Sequence, residues 1–348
     1  MWCFLKMMLF ILTFRINTGA FGRNIFMNPE SKMNISQIIS HWGYPNEKYD
    51  VVTEDGYILG LYRIPYGKAN SDKSDQRLVV YLQHGLFTTA SCWISNLPNN
   101  SLGFILADTG YDVWMGNSRG TTWSRKHVRL DTNSEEFWAF SFDEMAKYDL
   151  PALINFIVNH TKQEEIFYVG HSQGTTIALI TFSTMPKIAE RIKVFFALAP
   201  VFSIKHIQIP VVKIAYKLKT LILSRLDMYM VQNIGGTSVQ NMIHWSQLLN
   251  STQLKAFDWG SPAQNILHYN QKTPPIYNVS EMSVPTATWS GGKDLLADSE
   301  DVKNSLSEIK YHIYHKTISY YNHLDFLFGL DVFKQIYLEI INIIENNI

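Results

Sequence analysis

Residues 166–176 run Ile-Phe-Tyr-Val-Gly-His-Ser-Gln-Gly-Thr-Thr, an apolar stretch followed by Gly170-x-Ser172-x-Gly174 and residues suited to a helix start. A serine at the apex of a strand–turn–helix is the setting of a nucleophile elbow. The strained turn needs small residues two places either side of Ser172, because backbone and side chains crowd there while the hydroxyl is lifted clear of the sheet. Gly170 and Gly174 meet that need. A serine hydroxyl is a poor nucleophile until a base accepts its proton, and an acid must hold that base in the right tautomer. On an elbow of this kind the chain order is serine, acid, histidine. Asp294 closes the turn Ser290-Gly291-Gly292-Lys293-Asp294 after an expected strand at 285–289, whereas Asp298 lies farther from the strand end. The ordinary alternative for either carboxylate is an Asx turn or a helix cap. Of eleven histidines, only His312, His315 and His323 follow that acid. His312 and His315 fall inside an expected strand, while His323 lies in the loop beyond it. The reading is therefore Ser172, Asp294 and His323.

Attack on a carbonyl places negative charge on its oxygen, and losing one hydrogen-bond donor to that oxygen costs roughly 3 kcal/mol. The backbone N–H of Gln173, at the helix start, is one candidate donor. The loop after Gln83-His84-Gly85 offers the N–H of Leu86 as the other.

The elements needed to bring these residues together can be read from the chain. Two strand-like runs flank Glu54-Asp55-Gly56 and predict an antiparallel hairpin over 49–64. Short β-rich runs at 78–83, 111–115, 166–169, 194–198, 285–289 and 311–317 alternate with helical stretches. That alternation predicts an α/β protein with a mostly parallel sheet and helices on both faces. Between 200 and 274 the strands disappear and two helices are expected. One begins at Pro210, with Val211, Ile214, Leu218 and Leu221 on one face; the other starts from an N-cap at Thr237 or Ser238 and runs to about Leu249. We read 201–274 as a helical cap inserted into a core made of 21–200 and 275–348.

Composition narrows the function classes. Lys plus Arg equals Asp plus Glu at 30 each, so no positive field gathers phosphates and nucleic acid is not expected as a partner. Lys6, the apolar run from Met7 to Phe14, and small residues Thr18, Gly19 and Ala20 have the layout of a secretory signal peptide over 1–20, too short for a membrane anchor. Sequons at Asn34, Asn99, Asn159, Asn250 and Asn278 agree with a secreted or lumenal location. The cysteines are Cys3 and Cys92; with the leader removed, Cys92 is left alone and is read as a buried apolar filler.

Beyond the elbow the chain carries His41-Trp42-Gly43-Tyr44-Pro45, Glu54-Asp55-Gly56-Tyr57, Gln83-His84-Gly85-Leu86, Gly116-Asn117-Ser118-Arg119-Gly120, Gly292-Lys293-Asp294 and Asn322-His323-Leu324-Asp325. In this order, and over nearly the whole chain outside the cap, the sequence resembles the acid lipase family of gastric and lysosomal acid lipases, above all its epidermal members. The resemblance implies an α/β-hydrolase fold. It puts nucleophile, acid and base on Ser172, Asp294 and His323, and the oxyanion amides on Leu86 and Gln173. It further implies hydrolysis of triacylglycerols or steryl esters at a lipid–water interface through an acyl-enzyme, with neither metal nor cofactor. Gly116 to Gly120 also matches; we assign that loop to architecture. The chain departs from the family in the cap, where members carry several dozen further residues between Leu223 and Ser224, among them the cysteines of the family disulfide. A soluble short-chain esterase, a catalytically idle lipid-binding relative and a peptidase on the same fold are the competing readings.

Overall fold

In the computed structural model the described residues are 28–69, 76–202, 204, 234–249, 251 and 253–347. The expected leader, the first cap helix and the sequon at Asn250 lie outside them.

Eight strands form one sheet: β1 (Glu47–Val52), β2 (Ile58–Ile64), β3 (Val79–Gln83), β4 (Asp112–Gly116), β5 (Ile166–His171), β6 (Ile192–Leu198), β7 (Thr286–Gly291) and β8 (His312–Ile318). Their spatial order is β1-β2-β4-β3-β5-β6-β7-β8. β1 pairs antiparallel with β2 and β2 with β4, while every later pairing is parallel. The hairpin at Asp55-Gly56 works because Gly56 takes a φ of 96°, open to glycine without strain. Every residue of β3, β4, β5 and β7 is buried, so the centre of the sheet is covered on both faces. β1 exposes every second residue and β8 is largely half-buried, as strands at a sheet edge are.

The covering helices are α1 (Ile35–His41), α2 (Leu102–Thr109), α3 (Leu150–Thr161), α4 (Gln173–Thr184), α5 (Val239–Gln247), α6 (Pro262–Tyr269), α7 (Ser299–Leu306) and α8 (Leu338–Glu345). α4 is buried over its first ten residues and passes through the core behind the elbow. α5 starts at Ser238, whose side chain accepts the Asn241 N–H, so the serine of the two expected caps is the one used.

The Gly116–Gly120 loop carries a buried cation. Arg119 is buried with its Nε on Asp149 at 2.8 Å and its Nη1 on Asp55 at 2.6 Å, and its guanidinium lies 3.9 Å from the centre of the Tyr57 ring. This ion triad ties the first hairpin to the helical run leading into α3.

Candidate active site

Parallel strands bring their C-terminal ends to one edge, so loops far apart in sequence meet there. β5 ends at His171, and Ser172 follows with φ 54° and ψ −123°, a conformation rarely held by a residue with a side chain. The two glycines are needed for contact as much as for flexibility. A Cβ on Gly174 would stand 2.6 Å from the Gln83 carbonyl oxygen and 2.8 Å from that of His84, and one on Gly170 would stand 3.0 Å from the Gly174 carbonyl. Gly85 is equally constrained, since a Cβ there would come within 2.8 Å of the Ser172 Cβ.

The Ser172 hydroxyl lies 2.7 Å from His323 Nε2, and His323 Nδ1 lies 2.8 Å from Asp294 Oδ2. Asp294 Oδ1 accepts the N–H groups of Leu296 and Ala297 at 2.8 and 2.9 Å. Asp294 and His323 are held by their loops as well as by each other: Gly292 N–H donates to Ile318 O and Lys293 N–H to Tyr321 O. Asp294 is 3% exposed, while Ser172 and His323 keep 9%, so the carboxylate is the more shielded end of the line. The alternative residues have other employment. Asp298 caps α7 by accepting the Glu300 N–H, and His312 and His315 sit on β8, both bonded to the Thr288 hydroxyl.

Gln173 follows the serine directly, and Gly85, which precedes Leu86, packs against it. Among the described residues neither backbone N–H meets an acceptor. The peptide joining Gly85 to Leu86 is trans, and its carbonyl accepts from His84 Nδ1 at 2.8 Å and from the Thr88 hydroxyl at 3.0 Å. Fixing that carbonyl points the Leu86 N–H the opposite way within the peptide plane.

Two histidines that support the site escaped the sequence reading. His84 Nε2 accepts the Ser118 N–H at 3.1 Å, which leaves the proton on Nδ1 for the Gly85 carbonyl. His171, next to Ser172, bonds through Nε2 to the His323 carbonyl at 2.9 Å and so links β5 to the loop that carries His323. Burial pushes His84 down to about 4, and burial aided by the nearby His323 ring pushes His171 down to about 3, so both stay neutral in mild acid. Each acts on a backbone group more than thirty residues away in sequence. The only hint in sequence was a histidine directly beside a turn glycine.

Cys92 is buried, and burial raises its thiol well above the ordinary range, as expected of an inert filler. Among the described residues no cluster of three or more His, Cys, Asp or Glu side chains is arranged to hold a metal ion.

Comparison with known proteins agrees with this architecture. Residues 35–97 match the model for the partial alpha/beta-hydrolase lipase region, and residues 79–218 that for the alpha/beta hydrolase fold. The chain is 61% identical to human lipase member J, with 91% of this chain and all of that protein covered. It is 52% identical to human lipase member K over 91% of this chain and 92% of the relative. Human gastric triacylglycerol lipase is 49% identical over 396 aligned positions that span all of both chains; since this chain has 348 residues, that relative carries residues without a counterpart here. Among solved structures, a putative lipase from Acinetobacter baumannii superposes with a TM-score of 0.56 at 17% identity, covering 90% of this chain and 96% of the other, a likeness of fold.

Proposed function

The chain belongs to the acid lipase family, and from that premise we propose that it is a carboxylic-ester hydrolase that cleaves lipid esters with Ser172 as nucleophile, His323 as general base and Asp294 as the acid that orients the base. The observation that carries this reading is the unbroken line from the Ser172 hydroxyl through the His323 ring to Asp294, with links of 2.7 and 2.8 Å. The Ser172 oxygen bonds to the ester carbonyl carbon while its proton passes to His323 Nε2. Asp294 accepts the Nδ1–H, which keeps Nε2 free to take that proton. Negative charge develops on the carbonyl oxygen and is met by the Leu86 and Gln173 N–H groups. Collapse of the tetrahedral intermediate breaks the bond to the alcohol, which leaves with the proton from His323 Nε2. Water then repeats the sequence on the acyl-enzyme, releasing the fatty acid and restoring Ser172. No step calls for a metal or a cofactor.

Triacylglycerols and steryl esters are the substrate class that the relatives' names support. Gastric triacylglycerol lipase and lysosomal acid lipase/cholesteryl ester hydrolase, the latter from Macaca fascicularis and 47% identical to this chain, are named for those activities. A secretory route is part of the proposal. The sequon asparagines Asn34, Asn99, Asn159 and Asn278 are all exposed, and no helix among the described residues is long and apolar enough to cross a membrane.

The test is hydrolysis of emulsified long-chain esters and dissolved short-chain esters by secreted, purified protein, with Ser172→Ala as control and circular dichroism to verify folding. Turnover that rises when the ester passes from solution to emulsion, and that vanishes in Ser172→Ala, supports the lipase reading. Activity confined to dissolved short-chain esters would replace it with the esterase reading. A folded parent as inactive as the mutant would end the catalytic claim.

A further inference from the structure

Both arms of the oxyanion site touch one segment that lies outside the sheet, the stretch 234–249 between β6 and β7. At the first arm, Phe87 follows Leu86 with φ 59°, and its carbonyl accepts the Gly235 N–H at 2.7 Å. Gly235 packs so tightly on the Thr88 carbonyl oxygen that any Cβ would overlap it. At the second arm the Gln173 side chain is buried, and its Oε1 accepts from Asn241 Nδ2 at 2.9 Å and from Trp245 Nε1 at 2.7 Å. An indole N–H can only donate, so the Gln173 amide has one orientation. α5 is itself anchored: Asn241 Oδ1 accepts the Phe142 N–H at 2.8 Å, and the Ser238 hydroxyl donates to Phe140 O.

We propose that residues 234–245 form a positioning strap for the oxyanion hole, with Gly235 holding the Leu86 arm through Phe87, and Asn241 and Trp245 holding the Gln173 arm through its side chain. The proposal rests on the reading of Leu86 and Gln173 as oxyanion donors. Asn241 and Trp245 do not reach the reacting atoms; they are positioning residues. Loosening them moves donors away from the place where charge develops in the transition state and leaves ester binding in place, so the effect falls on kcat rather than KM.

Three substitutions test it. Trp245→Phe removes one N–H with little change of shape. Asn241→Asp keeps the acceptor for Phe142 but sets an oxygen against Gln173 Oε1, and Gln173 cannot flip while the Trp245 N–H faces it. In the Asn241→Asp/Trp245→Phe double variant the flip is free, and Gln173 Nε2 can donate to the new carboxylate. Because removing a donor outright costs about 10²- to 10³-fold, displacing one is expected to lower kcat about tenfold in each single variant. KM should stay within twofold, and affinity for a boronic acid transition-state analogue should fall in step with kcat. The double variant should be faster than Asn241→Asp. Gln247→Ala, which cuts the two bonds to Asp258 at the far end of α5, should keep kcat within twofold.

Unchanged kcat in both single variants, an equal loss in Gln247→Ala, or a double variant no faster than Asn241→Asp would overturn the strap. A parent without turnover on any ester would overturn both the strap and the function it serves. An active parent with indifferent variants would overturn the strap alone.

Discussion

Asp294 shows how much one residue's partners decide. Its Oδ1 is committed to two backbone N–H groups, which leaves only Oδ2 for His323. In Asp294→Asn the carbonyl oxygen must keep those N–H groups, so the NH₂ faces His323 Nδ1. The ring then carries its proton on Nε2, where it can no longer accept from Ser172. We expect kcat to fall roughly 10³- to 10⁴-fold in a protein of unchanged fold; more than a tenth of the parental rate would contradict this tautomer argument. Arg119 is the counterpart in the scaffold. Arg119→Met would leave the buried Asp149 and the half-buried Asp55 without their cation, and urea unfolding should show a loss of about 3–5 kcal/mol. A loss below about 1 kcal/mol would mean that the triad is dispensable.

At the scale of elements, the elbow depends on how closely α4 approaches β3. Gly174→Ala drives a methyl group against the Gln83 and His84 carbonyl oxygens, which are backbone atoms with nowhere to retreat. Stability should drop by about 1–3 kcal/mol, with activity falling further because Ser172 and the His84–Gly85 loop are forced apart. A fully active, equally stable variant would show that the loop can yield. Ser238→Ala removes the cap of α5 and should cost about 1 kcal/mol, read from the urea midpoint; an unmoved midpoint would show that the cap contributes nothing. These elements were legible in the sequence to different degrees. The strands announced themselves as β-rich runs bounded by turn residues, and the elbow by its glycines. The strap of α5 onto Gln173 was not readable, because amide-to-amide and indole-to-amide bonds leave no period in the chain. His84 and His171 were hidden for a related reason: their partners are backbone atoms, which carry no residue identity.

The molecule as a whole should respond to acid through its buried imidazoles. His84, His171 and His244 are pushed down to about 4, 3 and 4, in each case chiefly by burial, from an ordinary value of 6.5. A depressed folded value means that the unfolded chain binds more protons, so these groups support stability fully above about pH 6.5 and withdraw that support as pH falls toward 4. Asp143 and Asp149 act in the opposite sense. Burial raises each to about 6, so the folded state takes up their protons first and gains relative stability between about pH 6 and 4. The three imidazoles are displaced further from their ordinary value than these two carboxyls, and the urea midpoint should decline between pH 6.5 and 4; a rise over that interval would refute the balance. Through most of that interval His84 and His171 remain neutral in the native state, so the loops that they hold keep their bonds.

The Ser172 hydroxyl and the His323 ring are 151 positions apart, and the ring is carried by the loop beyond β8, the final strand of the sheet and one at its edge. During synthesis the chain emerges from its N-terminus, and a domain folds as a unit. Ser172 therefore emerges well before the histidine proposed to activate it. On that proposal a nascent chain that stops short of β8 has no turnover. On refolding, recovery of turnover should track the docking of β8 and never run ahead of it.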